Sequence, residues 1–174
     1  MLGTAANATS GRLGESPSAG SADATTLLRV SARGLPRPLD ADEIDAFLRA
    51  QRVARIGCHA DGETYVVPVI YAYDGAAVVA VTTEGRKTSM LRANPRACVE
   101  VDEYDADGRG SWRSVIALGV YEELGEDEVP AALELLRERF TRAAGRAPEN
   151  RPFGPRVVVF RIRLEEVSGR AVER

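Results

Sequence analysis

The segment Val81-Thr82-Thr83-Glu84-Gly85-Arg86-Lys87-Thr88 gathers the groups that bind an oxyanion. It has two hydroxyls at a strand end, a glycine where the backbone can turn tightly, and two adjacent cations. It also opens a helix whose free N–H groups and positive dipole end face the same spot. Arg86 can grip two oxygens of a phosphate dianion, Lys87 can add a second charge, and Thr82 and Thr83 can donate hydrogen bonds. The same spacing also reads as an exposed turn with two solvated basic residues. Other phosphate motifs do not fit. A P-loop needs G-x-x-x-x-G-K-S/T, but Ala80 stands at the first glycine and Arg86 separates Gly85 from Lys87. A dinucleotide fingerprint finds only Gly108 and Gly110 followed by Arg113, in a polar turn with no helix behind it. No G-x-S-x-G occurs, so there is no nucleophile elbow.

The remaining chemical side chains point elsewhere. Cys58, Cys98 and the lone His59 form no metal-ligand spacing and no disulfide framework. Cys58 and His59 are neighbours on one strand and so face opposite sides of it, which keeps them from acting as a pair. Asp102, Glu103, Asp105 and Asp107 surround a loop without the regular calcium-loop pattern. A net charge of -3 leaves no general positive field for a nucleic acid, so an anion must be met locally. No apolar run approaches the roughly 20 residues of a membrane span, and no secretory signal opens the chain. A cytoplasmic protein is expected.

At 174 residues the chain has room for one core and a tail. Residues 1–36, rich in Ala, Ser, Gly and Thr, read as a disordered N-terminal extension, and 37–174 as a single domain. Asp40 and Glu43 form a capping box for a helix over Ala41–Gln51, with Leu39 and Ile44 as a staple across the cap. Strands are expected at Val53–His59, Tyr65–Tyr73 and Ala77–Thr83, punctuated by Asp61-Gly62 and Asp74-Gly75. A short helix from Gly85 stops at Asn94-Pro95. Further strands at Ala97–Val101 and Trp112–Glu123 flank a polar turn from Asp102 to Gly110. A helix capped by Asp127 runs to about Ala144, with Val129, Leu133, Leu136 and Phe140 on one face. After a loop from Gly145 to Pro155, a last strand covers Val157–Leu164 and ends near Val167. Five or six antiparallel strands in near-continuous order predict a mainly β, closed or nearly closed barrel with flanking helices.

With these elements in place, the runs Ala54–Gly62, Tyr65–Gly75, Glu84-Gly85-Arg86-Lys87, Leu91–Arg96 and Trp112-Arg113-Ser114-Val115, with Gly119, resemble the pyridoxamine 5′-phosphate oxidase-like FMN-binding split barrels. The nearest branch is that of nitroimidazole resistance, and the likeness covers residues 39–125. It implies a six-stranded antiparallel split β-barrel that forms a homodimer, with one FMN at each end of the interface. It further implies that Val67, Pro68, Val69 and Ile70 lie along the isoalloxazine. Thr82, Thr83, Arg86 and Lys87 would hold the phosphate, and Trp112, Ser114 and Val115 would approach the ring. Where many nitroimidazole-resistance sequences read F-H-S/T-x-x-G-x-K, this chain has Val81 before Thr82, which puts nitroimidazole reduction in doubt.

The expected function is therefore an FMN-binding oxidoreductase that reduces a small flat acceptor. The flavin carries the electrons and no catalytic acid or base is nominated. A non-catalytic flavin or small-ligand binding module would need the same cradle, and the family also holds F420- and haem-binding relatives.

Overall fold

The computed structural model describes residues 35–104, 110–144 and 156–173. Residues 1–34 of the expected extension, 105–109 of the polar turn and the loop 145–155 lie outside the described residues. Six strands make the barrel: β2 (Val53–Ala60), β3 (Glu63–Tyr73), β4 (Ala77–Thr83), β5 (Arg96–Tyr104), β6 (Trp112–Glu123) and β7 (Val157–Val172). They follow one another in the order β7-β4-β3-β2-β5-β6, and a β6–β7 ladder closes the ring. Every ladder is antiparallel, and a two-residue strand, β1 (Arg37–Pro38), joins the far end of β7.

Local chemistry sets the turns and caps. Asp61 and Gly62 both take positive φ, 52° and 77°, which turns β2 into β3 in two residues. Asp74 Oδ1 accepts from the N–H groups of Ala76 and Ala77 at 2.8 and 2.7 Å and so shapes the next turn. Helix α1 (Ala41–Ala50) has the expected capping box: Asp40 Oδ1 accepts from Glu43 N at 2.8 Å, and Glu43 Oε2 accepts from Asp40 N at 2.9 Å. The helix plugs one end of the barrel through Phe47 and Leu48. The buried Tyr71 hydroxyl donates to the Leu48 carbonyl at 2.8 Å.

Strand alternation sorts side chains between three environments. Ile56, Tyr71, Val78, Ala80, Val99, Val101, Val115, Phe160 and Ile162 fill the barrel. Ala72, Val79 and Val159 face outward under helix α3 (Val129–Ala144), whose Ala132 and Leu136 complete a second cluster. Among the described residues, no element covers the outer face of β2, β3, β5 and β6: Val53, Val66, Ile70, Ile116 and Leu118 are 40 to 58% exposed there.

The structure departs from the sequence reading in three places. β5 continues through Tyr104, so Asp102 and Glu103 belong to a strand rather than a turn. Helix α3 starts at Val129 rather than after an Asp127 cap, because the Gly125 carbonyl accepts from Glu128 N and Val129 N first. β7 runs on to Val172, and its second half pairs with Trp112–Leu118 to close the barrel. A bulge between Leu118 and Gly119 brings the Gly119 Cα against the β7 backbone at Arg163.

Candidate anion-binding site

β4 parts from β3 where the site begins. Only Tyr71–Tyr73 pair with β4, through Ala80–Val78, whereas Val81, Thr82 and Thr83 pair with β7 alone. Beyond Tyr71, toward Glu63, the β3 edge facing away from β2 carries no ladder, and its peptide groups are open to a ligand. Helix α2 (Arg86–Ala93) starts just after the parted end of β4 and packs on β2. Its first turn therefore presents N–H groups with no helical partner beside the split.

In the two-residue alternation of β4, Val78, Ala80 and Thr82 form one row and Val79, Val81 and Thr83 the other. Thr82 accepts a hydrogen bond from Lys87 Nζ at 2.8 Å, and the ammonium sits 5.7 Å from the Phe160 ring centroid. Lys87 is half-buried, and among the described residues it has no carboxylate partner. Burial lowers its pKa, and the neighbouring Cys58 offsets this only in part. Burial in turn raises the Cys58 thiol. Lys87 is also the only lysine among 23 basic residues, a signal in the sequence that points to this position.

The other expected phosphate residues behave differently. Arg86 turns away from Thr82, pairs with Glu63 and stacks over the Tyr65 ring at 5.1 Å. The Thr83 side chain is exposed. Gly85 has an extended backbone, φ 170°, so a tight turn is not its reason. A Cβ there would meet nothing within 4 Å, which leaves open space at the helix start. Val81 packs toward α3, so the position where related sequences carry histidine faces away from the Thr82 row.

The expected ring-contacting residues split between faces and ends. Val69 and Val115 are 7% and 1% exposed and belong to the barrel core, so a ligand could reach them only through their backbone. Val67 is half-buried, whereas Pro68 and Ile70 lie on the exposed outer face. Ser114 and Trp112 sit opposite Asp102 and Tyr104 on β5, at the end of the barrel away from Cys58 and Lys87. Five residues separate Ala97, beside Cys58, from Asp102, beside Ser114, which is about 17 Å along the strand. One copy therefore does not bring Lys87 and Trp112 together.

Sequence reasoning gave no role to the groups behind the cradle. Arg92 on α2 holds Glu84 through two hydrogen bonds of 2.8 and 2.6 Å and Glu123 through two of 2.6 and 3.1 Å. Arg92 holds both carboxylates below the usual carboxylate range. Tyr121 donates to Glu123 at 2.8 Å, and its ring lies 5.2 Å from that of Phe160. Among the described residues, no group of three His, Cys, Asp or Glu could hold a metal ion, and no helix is long and apolar enough to cross a membrane.

A sequence model of the pyridoxamine 5′-phosphate oxidase family matches residues 40–171, most of the chain and nearly all of the barrel. The chain belongs to that family. It is 37% identical to an FAD-binding protein from Mesorhizobium loti, covering 80% of this chain and 98% of that one with a TM-score of 0.65. A Bacteroides thetaiotaomicron protein named for 5-nitroimidazole antibiotic resistance shares the fold at 18% identity and a TM-score of 0.64, covering 79% of this chain and 87% of that one. An uncharacterized protein of Rhizobium meliloti is 30% identical over 88 residues, 51% of this chain; the match spans 57% of that relative's length. The family's split barrel is the architecture found here.

Proposed function

We propose that this family member binds FMN with its phosphate at Lys87 and Thr82, at the junction of two copies of the chain, and reduces a small flat acceptor. The observation that carries this reading is the half-buried Lys87 ammonium, which has a hydroxyl and an aromatic face beside it but no acid among the described residues. A cation taken out of water without a counter-ion is costly, and a phosphate seated at the α2 start would supply one where the helix dipole already favours it.

In this reading Lys87, Thr82 and the first N–H groups of α2 hold the phosphate, and Arg86 joins them by leaving Glu63. The free β3 edge from Val67 to Ile70 offers backbone donors and acceptors to the polar rim of the ring. FMN, when bound, supplies the electron transfer; the chain positions it and keeps water from one face. A second copy supplies Trp112 and Ser114. Two observations support that copy: the two halves of the expected site lie at opposite ends of one barrel, and the apolar outer face between them is covered by none of the described residues. A two-fold axis through that face would set one copy's Lys87 end beside the other's Trp112 end. Cys58 and Cys98 are free thiols, which suits a reducing cytoplasm.

The absorbance spectrum of the purified protein tests the cofactor. A flavin band released on denaturation and identified as FMN is the expected result; a deazaflavin or haem spectrum overturns it. Turnover of NADH or NADPH with nitro compounds and quinones tests catalysis, and flavin binding without turnover would make the protein a binding module.

A further inference from the structure

We propose that Arg92 is a positioning residue for the anion site: by clamping Glu84 against Glu123 it keeps a carboxylate out of the Lys87–Thr82 cradle. The inference rests on the phosphate-binding reading above. Glu84 follows Thr82 by two residues, just past the end of β4, and it precedes Lys87 by three. It is thus the acid nearest in the chain to an ammonium that has none. Its N–H is fixed to the Arg156 carbonyl at 2.9 Å, so the backbone cannot carry it away. Its side chain then decides whether this carboxylate enters the cradle.

That side chain is engaged by other partners. Arg92 takes both Glu84 oxygens in a fork, and its Nε and second amino group reach Glu123 on β6. Thr88, with no exposed surface, lies 3.1 Å from Glu84 Oε2 through its hydroxyl and accepts from Gly85 N at 2.9 Å, so the clamp and the α2 start form one unit. Glu123 keeps the Tyr121 hydroxyl as a partner when Arg92 is removed, whereas Glu84 keeps only Thr88. A released Glu84 would fill the role open to a phosphate, pairing with Lys87 and repelling the ligand's charge.

The test uses the full chain as wild type, R92M, E84Q and the E84Q/R92M double variant, with melting curves to confirm folding. FMN is titrated by quenching of its fluorescence. Separately, the pH midpoint of Lys87 acetylation, read by mass spectrometry on this single lysine, follows its proton without any flavin; the nearby Cys58 thiol is unchanged in all variants. R92M should weaken FMN about ten-fold and raise the lysine midpoint. E84Q alone should bind FMN at least as well as wild type, and E84Q/R92M should recover both readouts. A purely structural Arg92 would not be rescued by removing the acid it holds. The proposal is overturned if R92M leaves the lysine midpoint in place, or if E84Q/R92M stays as weak as R92M. If wild type binds no FMN, the cofactor reading fails while the lysine midpoint still decides the clamp.

Discussion

Arg86 and Lys87 are adjacent in the chain but serve different partners: Lys87 reaches back to Thr82, while Arg86 crosses to Glu63 and Tyr65 on β3. The pair that the sequence presents as one basic patch is one cation with no acid partner among the described residues and one paired with Glu63.

Replacing Lys87 by Met separates binding from stability. The variant should lose about 10- to 100-fold in FMN affinity, the range for hydrogen bonds to a charged group. Its melting temperature should stay level or rise, since a half-buried ammonium with no acid partner among the described residues is removed. Calorimetric melting and flavin titration check both halves; a large fall in melting temperature would contradict the assignment of Lys87 as uncompensated.

Glu63→Gln should tighten FMN a few-fold by freeing Arg86, because an exposed ion pair is worth at most about 1 kcal/mol and that competition disappears. Arg86→Ala should weaken binding less than Lys87→Met. An unchanged affinity in Glu63→Gln would mean that Arg86 stays with Tyr65 and takes no part.

The pH dependence has a definite sign. Burial lowers the Lys87 pKa in the free protein, and a bound phosphate would raise it again. The complex then holds a proton that the free protein releases, so affinity falls as pH rises through the window between the two values. Isothermal titration should show proton uptake on binding in that alkaline window, and Lys87→Met should abolish it.

Leu118→Glu places a charge on the outer face, where Leu118 is 40% exposed opposite Cys98. Light scattering should find a dimer for the wild type and a monomer for the variant, with flavin retention lost although Leu118 is far from Lys87 in sequence. A monomeric wild type that retains flavin would remove the second copy from the site.

Gly119→Ala tests the seam of the barrel. Its added methyl would meet Ile162 Cγ2 at 2.9 Å and the backbone of Arg163, neither of which can swing aside. Overpacking of this kind costs about 1–3 kcal/mol, readable as a lower denaturant midpoint.

Elements whose signals are local were legible in the sequence. The Asp40–Glu43 box, the two Asp-Gly turns and the apolar stripe of α3 each act over a few residues, and each is found where expected. The second half of β7 was not, because Glu165 to Ser168 are all exposed and carry no alternation; only pairing with β6 makes them a strand. The same limit applies to the site. Lys87 and Thr82 lie five residues apart and could be paired by eye. Glu63 lies 23 residues from Arg86, and Glu123 lies 31 from Arg92, distances that only the barrel's register resolves.

β7 supplies the final ladders to both β4 and β6. During translation those two strands leave the ribosome with bare edges and wait for the last-made segment to cover them. The nascent barrel therefore passes through an open, adhesive stage, and slow synthesis between β6 and β7 would prolong its exposure to aggregation.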